Sequence, residues 1–240
     1  MPKKPGQSKR TSANTRFFWR AVLAVVLLLF LYEAWIFSQV LWLKWNNPTS
    51  TSFMAIRREE MRRHNASAQL SYQWVDYQKI SPHLKRAVVA AEDGKFLQHN
   101  GFDWQGIRNA MTKNLQRGKS AAGGSTISQQ LAKNLFLSPS KNYLRKIQEA
   151  IITVMIEATW DKRRILEVYL NVVEWGDGVF GAEAAARRHY NTSAAGLSAY
   201  QAARMAVMLP NPRVFEDRLP TYAVRYADTV QRRMNSARIP

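Results

Sequence analysis

A glycine- and hydroxyl-rich segment at residues 123–137 contains the residue types that bind an anion. It reads GGSTISQQLAKNLFL. Gly123 and Gly124 allow a tight backbone turn, and Ser125 or Thr126 is suited to cap the helix that follows. The free N–H groups at such a helix start favour phosphate. The segment therefore predicts either an anion site or a capped core helix, and spacing alone does not decide between them.

The predicted helix in this segment has a polar side and an apolar side. The polar residues lie at helical spacing and add hydrogen-bond donors and one charge: Gln129, Gln130, Lys133 and Asn134. The apolar residues are expected in the core: Leu131, Leu135 and Phe136. A nucleotide P-loop is excluded, because the chain has no GxxxxGK[ST] motif.

Two adjacent carboxylates, Glu92 and Asp93, follow the apolar run AVVAA. A carboxylate at the mouth of an apolar pocket has its pKa raised, as a general base requires. The alternative is ordinary: acids near a helix end often cap or pair, and His99 would then only brace a loop. This segment alone slightly favours the ordinary interpretation.

A second acid lies on the next predicted helix among cations. Arg145, Lys146 and Glu149 form RKxxE after Lys141. Arg145 and Glu149 are four residues apart, so a surface salt bridge is one interpretation. Beside Lys133 the same residues would form a site with several cations and one acid, which suits a pyrophosphate leaving group.

Other chemistry is excluded by composition and spacing. The chain has no cysteine, which rules out disulfides, thiolate zinc sites and a cysteine nucleophile. The four histidines are scattered without metal-ligand spacing. The S-x-x-K at residues 138–141 lacks the S-D-N and K-T-G elements of penicillin-binding acyl enzymes.

Hydrophobic periodicity predicts a mainly α-helical domain, with strand signals nearly absent. Ser71–Tyr77 alternates and is expected to be extended, and Ser81-Pro82 is expected to open a helix that runs through Ala91. Phe53–His64 has helical potential, with arginines that either meet lipid headgroups or form a solvated face. Further helices are predicted at Trp104–Gln116, Thr126–Phe136, Tyr143–Trp160, Lys162–Glu174, Ala182–Tyr190, Ala199–Met208 and Tyr222–Ser236.

An apolar run at Ala21–Leu43 predicts one membrane anchor. Its 23 residues would form a helix of roughly 34 Å, enough for a bilayer core. Glu33 and Gln39 are polar exceptions within it. A cleaved signal peptide is the competing interpretation, which is disfavoured because the run is long and no A-x-A site follows.

Charge sets the expected orientation and organisation. The chain carries a net charge of +18, which favours an anionic partner. Basic residues concentrate before the anchor, which places the N-terminus in the cytoplasm and the globular part outside. We expect a basic tail at 1–20, disordered over 1–16, an anchor at 21–43, a juxtamembrane linker at 44–70 and a domain at 71–240.

With these segments in order, the chain resembles the peptidoglycan glycosyltransferases of family 51. Five ordered motifs carry the resemblance: EDGKFLQHNGFD at Glu92–Asp103, GGSTISQQLAKNLFL at Gly123–Leu137, RKIQE at Arg145–Glu149, ILEVYLNVVEWGDGVFGAEAAARRHY at Ile165–Tyr190 and AARMAVMLPNP at Ala202–Pro212. The anchor and the lack of a transpeptidase domain fit the monofunctional branch.

The resemblance implies a lysozyme-like fold with a small membrane-facing lobe at about Trp104–Ala122. It implies polymerisation of lipid II with release of undecaprenyl pyrophosphate. Glu92 matches the family's catalytic base, and Glu149 matches its second essential acid. The remaining matches line the substrate cleft or brace the base: Asp93, Phe96, His99, Thr126, Gln130, Lys133, Asn134, Lys141 and Arg145. Lys141 stands where several members carry Arg, so it keeps the charge but lacks the planar fork that binds two phosphate oxygens at once.

The resemblance also implies partners and location. These are lipid II and the growing lipid-linked glycan, membrane lipids, and cell-wall synthesis or division proteins, at the bacterial inner membrane with a periplasmic domain. No nucleic acid and no required cofactor are expected, although Mg²⁺ or Mn²⁺ helps some members. Two rivals remain open: a lysozyme-like or lytic glycan-cleaving enzyme, and a non-enzymatic, membrane-tethered basic module.

Overall fold

The computed structural model describes residues 8–117, 124–140, 142–217 and 219–240. The described chain is mainly α-helical, as predicted. Its helices are α1 Ser8–Leu43, α2 Ser52–His64, α3 Pro82–Glu92, α4 Trp104–Arg117, α5 Ile127–Phe136, α6 Tyr143–Thr159, α7 Lys162–Val172, α8 Ala182–Tyr190, α9 Ala199–Ala206, α10 Pro212–Asp217 and α11 Thr221–Arg233. Its strands are β1 Ser71–Tyr72, β2 Glu174–Gly176 and β3 Val179–Phe180.

Local capping chemistry explains where the predicted helices begin. The Ser81 hydroxyl accepts a hydrogen bond from the His83 N–H at 3.3 Å, with Pro82 in the first turn. The Thr126 hydroxyl accepts from the Gln129 N–H at 3.2 Å, and the Gln129 carboxamide accepts from the Thr126 N–H. This reciprocal cap fixes the start of α5.

The expected disorder of residues 1–16 is wrong for the part that the structure describes. Helix α1 begins at Ser8 and continues without interruption into the apolar run. No proline or glycine occurs between Gly6 and Pro48, so nothing in the sequence stops the helix from extending toward the N-terminus. Polar composition alone was a poor guide here, because the adjoining apolar segment already supplies a helix to extend.

The structure also contains β2, β3 and the short helix α10, which were not predicted, whereas β1 lies in the segment Ser71–Tyr77 that was expected to be extended. Helix α7 ends at Val172, short of the predicted Glu174, and the chain then turns into β2. Strand β3 lies between the other two, parallel to β1 and antiparallel to β2. Strands of two or three residues are too short to show alternation, and the short helix α10 shows no clear period.

Helix α5 lies at the centre of the packing. It contacts α2, α6 and α7, while α3 packs against α9 and α11. The largest fully buried side chains include Trp175, Tyr169, Phe96 and Phe180. On the apolar side of α5, Leu131 and Leu135 lie in this core as predicted, and Phe136 is partly buried against it.

The end of the anchor helix packs against the folded domain. Thr15–Leu43 is the one helix in the described ranges that is long and apolar enough to cross a membrane, with a mean hydropathy of 2.3. Its last turns bury Ile36, Val40 and Leu43, and Met54 of α2 is buried in the same core. Packing is therefore continuous across residue 70, where the sequence suggested the end of a linker.

Part of the predicted membrane-facing lobe is visible as α4. This helix exposes Trp104, Met111 and Leu115. Its apolar exposure fits a lipid-facing surface, although residues 118–122 of the predicted lobe lie outside the described ranges. The membrane-facing role of the lobe stays a prediction.

Gly181 allows a close approach between the sheet and the end of α7. Its φ is +84°, and its N–H donates to the Val173 carbonyl at 3.1 Å. A Cβ at this position would lie 2.7 Å from the Asn171 backbone oxygen. Asn171 is itself held by two hydrogen bonds to the backbone of Val75, so the obstruction cannot move freely.

We therefore expect Gly181→Ala to lower the free energy of unfolding by roughly 2–4 kcal/mol, since it combines a left-handed backbone with a backbone clash. Thermal or denaturant unfolding in detergent measures this. Gly94→Ala is the matched control, because a Cβ there meets no atom within 4 Å. Equal stability of the two variants would contradict the geometry.

Candidate active site

Glu92, the predicted base, ends α3 and faces α5. The Gln130 Nε2 donates to Glu92 Oε2 at 2.7 Å. The Tyr169 hydroxyl donates to Gln130 Oε1 at 2.9 Å, so the phenol fixes which end of the carboxamide faces the carboxylate. Tyr169 is fully buried on α7. The three side chains form a chain of hydrogen bonds that orients Glu92.

Burial raises the pKa of Glu92 above its ordinary value, and the neighbouring Asp93 raises that pKa further. The hydrogen bond from Gln130 and the charge of Lys133 lower the pKa and oppose that shift. Glu92 is thus a partly desolvated carboxylate with one strong donor, which suits a group that accepts a proton. The backbone just before Glu92 is also held in place, because the Tyr226 phenol of α11 donates to the Ala91 carbonyl at 3.1 Å.

Asp93 ties the end of α3 to the start of α5. Its Oδ2 accepts from the Ile127 N–H at 3.1 Å, and its Oδ1 lies 2.9 Å from Nε2 of His99. Asp93 is buried, and the His99 ring Nδ1 is buried with no partner. These contacts hold the two helix ends together and thereby set the position of Glu92 relative to Gln130.

Three other predicted site residues are also buried. The Thr126 hydroxyl donates to the Gly101 carbonyl at 2.6 Å, Phe96 is 1% exposed, and Asn134 is buried on α5. Because all three side chains are buried, they support the backbone around Glu92 and helix α5, which carries Gln130 and Lys133. A direct contact between these residues and a substrate stays a prediction.

Glu149 lies among cations on α6. Arg145 Nη1 donates to its Oε2 at 2.6 Å, and Lys146 pairs with its Oε1. Lys146 also donates to the Ser125 hydroxyl at 3.3 Å. The pair of Arg145 and Glu149 that the four-residue spacing allowed therefore forms, but its carboxylate is only 2% exposed and does not lie on the open surface.

Lys133 lies between the two acids. Burial lowers the pKa of Lys133, while the charges of Glu149 and Glu92 act to raise that pKa and those of Arg145 and Lys146 lower it. Its ammonium also lies 5.6 Å from the centre of the Phe53 ring of α2. The fold therefore brings the predicted base, the second acid and three cations into one site.

Some residues of this site were only partly predictable from the sequence, or not at all. Tyr169 lies in an apolar helix and is typical of core, so only the structure reveals its hydrogen bond to Gln130. Lys146 was expected in the cation site but was not among the residues matched to the family, and Ser125 was expected only as a helix cap. Lys141, which was assigned, lies outside the described residues.

The donor set does not form a metal site by itself. Among residues the structure describes, no three His, Cys, Asp or Glu side chains are grouped so as to hold a metal ion. The one carboxylate that pairs with Arg145 and Lys146, that of Glu149, is already neutralised. A divalent cation bound here would need additional oxygen ligands from a substrate, as Mg²⁺ commonly takes from phosphates.

Comparison with known proteins identifies the family. The profile described as Transglycosylase matches residues 58–235, most of the chain. A biosynthetic peptidoglycan transglycosylase of Azoarcus sp. (strain BH72) is 57% identical over 225 residues, 94% of this chain and 97% of the relative. Its counterpart in Laribacter hongkongensis (strain HLHK9) is 57% identical over 222 residues, 92% of this chain and 97% of the relative.

A third relative of the same name, from Dechloromonas aromatica (strain RCB), is 60% identical over 195 residues, which cover 81% of this chain and 84% of the relative. The matched profile spans α3, α5 and α6, and thus the elements that carry Glu92, Lys133 and Glu149. The chain belongs to the transglycosylase family.

Proposed function

We propose that this protein is a peptidoglycan glycosyltransferase that polymerises lipid II into linear glycan strands and releases undecaprenyl pyrophosphate. The family and the names of the relatives support this reaction. The observation that carries it is the pairing of a desolvated base, Glu92, with a cluster of cations, Lys133, Arg145 and Lys146, across one site.

In the proposed step, Glu92 accepts the proton of the 4-hydroxyl of the acceptor N-acetylglucosamine. The oxygen attacks the anomeric carbon of the donor, and the bond from that carbon to the pyrophosphate oxygen breaks. The pyrophosphate leaves with the electron pair, and the configuration inverts from α to β. Lys133, Arg145 and Lys146 stabilise the negative charge that develops on the leaving group.

Glu149 has a positioning role in this proposal. Its carboxylate holds Arg145 and Lys146 from one side, which orients the cations and keeps them from repelling one another. An anionic leaving group needs no general acid, unlike the sugar oxygen in a glycosidase. The site therefore needs one base and a set of cations.

Two rival functions fit less well. A glycan-cleaving enzyme would share a key glutamate, but it must protonate a sugar oxygen and has no use for three cations beside its acids. A non-enzymatic basic module would not need Glu92 partly desolvated and oriented by Gln130 and Tyr169. Neither rival accounts for both halves of the site.

The proposal includes a location and a set of partners. Helix α1 anchors the chain in the inner membrane, with the basic N-terminus cytoplasmic and the catalytic domain periplasmic, since positive residues stay on the cytoplasmic side. Lipid II, the growing lipid-linked glycan and membrane lipids are the proposed partners, together with cell-wall synthesis and division proteins. The reaction requires no resident cofactor, and Mg²⁺ or Mn²⁺ would act as a ligand shared with the pyrophosphate.

The assignment of the base is tested by Glu92→Gln. We expect the full-length protein to convert labelled lipid II into long glycan, and the variant to lose at least about a thousandfold in rate, because it has no proton acceptor. The unfolding midpoint should stay near that of the parent. Unchanged polymerisation would remove Glu92 from this role, and shortening of preformed glycan without growth from lipid II would support the hydrolase.

Tyr169→Phe tests the hydrogen-bond chain through pH dependence. The base works when deprotonated, so activity rises with pH through the pKa of Glu92. The Gln130 hydrogen bond lowers that pKa. Without the phenol, the carboxamide is free to turn away, the pKa rises, and the acidic limb of kcat against pH moves to higher pH.

Tyr77→Phe is the matched control for this prediction. Its hydroxyl also makes one hydrogen bond, donated to the Pro240 carbonyl at 2.6 Å, but it has no contact with Glu92. We expect the control to keep the parent profile. An acidic limb that shifts equally in both variants, or in neither, would rule out the proposed chain.

Lys133→Ala tests whether α5 binds an anion or only fills the core. We expect KM for lipid II to rise by roughly 10- to 100-fold, the loss of a hydrogen bond between charged groups, with less than about 1 kcal/mol lost in unfolding free energy. Lys79→Ala is the control, since Lys79 makes an exposed pair with Asp76 away from the site. A loss of stability as large as the loss of binding would favour the core interpretation.

A further inference from the structure

The anchor helix changes character at Glu33. Residues 23–32 all expose their side chains, as expected for a segment that lipid surrounds. From Glu33 onward, one stripe with helical spacing is covered by the folded domain: Glu33, Ile36, Val40 and Leu43. The first half of the helix is free of the domain, and the second half is docked on it.

Polar contacts secure the docked half. The Gln148 Nε2 of α6 donates to Glu33 Oε2 at 3.1 Å, across 115 positions of sequence. The Trp160 indole N–H donates to the Val40 carbonyl at 3.0 Å. Arg164 donates to the Leu43 carbonyl at 2.9 Å. The acid that looked like an exception in an apolar run therefore has a specific partner.

Helix length indicates where the bilayer ends. The candidate membrane span Thr15–Leu43 has 29 residues, about 43 Å of helix, which exceeds a hydrocarbon core of roughly 30 Å. The undocked part, Thr15–Tyr32, measures about 27 Å and matches that core. Arg16 and Arg20 lie near its cytoplasmic end, where their long side chains extend to the headgroups and keep the charge out of the hydrocarbon. Glu33 then lies at the outer edge of the hydrocarbon, and the docked turns lie outside it. The segment that crosses the bilayer is thus closer to the N-terminus than the span 21–43 that was predicted from the apolar run.

Helix α6 carries a second sign of the bilayer surface. One of its faces exposes apolar side chains at helical spacing: Tyr143, Leu144, Ile147, Ile151 and Val154. This face is on the same helix as Gln148, which contacts the anchor at the level of the proposed bilayer edge. An apolar face in that position is suited to the interface of a membrane.

We propose that the contact between Glu33 and Gln148 fixes the depth of the active site, holding the cations of α6 at the level of the bilayer phosphate groups. Glu33 is then a positioning residue, and the docked anchor is a rigid part of the enzyme. This inference rests on the proposed function, since it concerns the lipid-linked pyrophosphate of that reaction.

The physical consequence follows from the position of Gln148 in the chain. It directly precedes Glu149, and one turn separates it from Arg145. A pyrophosphate joined to a membrane lipid stays at headgroup depth, because its polyprenyl chain remains in the hydrocarbon. Cations held at the same depth bind it without lifting the lipid out of the bilayer, which would cost free energy for every methylene exposed to water.

The test compares full-length variants on two substrates. In proteoliposomes, lipid II carries its full polyprenyl chain, and in solution a short-prenyl analogue does not need a membrane. We expect Glu33→Leu to raise KM roughly tenfold on the bilayer substrate, the loss of one hydrogen bond to a charged group, with no change on the soluble analogue. Glu33→Gln keeps an acceptor for Gln148 and should retain the parent KM.

Two controls sharpen this comparison. Ser38→Ala removes a polar group from the exposed side of the same helix, where the hydroxyl only donates to the Trp35 carbonyl, and should match the parent. Gln148→Leu should reproduce Glu33→Leu, and the double variant should be no worse than either single one. Parent-like activity of Glu33→Leu on both substrates, or equal losses on both, would overturn the proposal.

A depth measurement separates this proposal from the proposed function. The chain has no cysteine, so Leu144→Cys gives a single labelling site on the apolar face of α6. A fluorophore there should be quenched by spin-labelled lipids at headgroup depth, and less so when Glu33→Leu is added. An unquenched label, or one that the second substitution leaves unchanged, would overturn the docking. Absence of glycan synthesis by the parent would overturn the proposed function alone.

Discussion

The placement of α5 beside the end of α3 is the constraint on which the site depends. Glu92 must lose water to become a useful base, yet a partly desolvated carboxylate needs a donor that keeps it in place. Gln130 supplies that donor from α5, and the buried Tyr169 sets the orientation of the carboxamide. Asp93, which directly follows Glu92, accepts a hydrogen bond from the first backbone N–H of α5. A shift of α5 would therefore also change the surroundings that set the pKa of Glu92.

The same helix joins the two halves of the site. One turn after Gln130, Lys133 reaches toward Glu149 and its cations, and its own pKa is affected by both acids. The site thus separates its charges: an acid with a raised pKa on one side, and cations balanced by one buried carboxylate on the other. That asymmetry fits a reaction in which a proton leaves one sugar and an anion leaves the other. The anchor, docked through Glu33, places both halves near the lipid that carries the substrate.

Much of this arrangement was predictable, and the exceptions have physical causes. The hydroxyls of Ser125 and Thr126 and the helical spacing predicted α5 with Leu131 inside, because both signals are local, whereas the family resemblance was needed to place Lys133 in the site. The hydrogen bonds from Tyr169 to Gln130 and from Gln148 to Glu33 join residues 39 and 115 positions apart, so no local pattern contains them. The strands at Glu174–Gly176 and Val179–Phe180 pair with each other, and the second also pairs with β1. Strands of two or three residues are too short to show alternation, so the sequence does not predict them.

The most direct test is a titration of the Glu92 carboxyl in the resting full-length protein, by carboxyl-labelled NMR with Glu92→Gln to assign the signal. The account predicts that this carboxyl titrates above the roughly 4.3 of an exposed glutamate, because burial disfavours its charged form. A carboxyl that titrates at or below that value would be a solvated or salt-bridged acid, and Glu92 would lack the environment that the proposed mechanism requires.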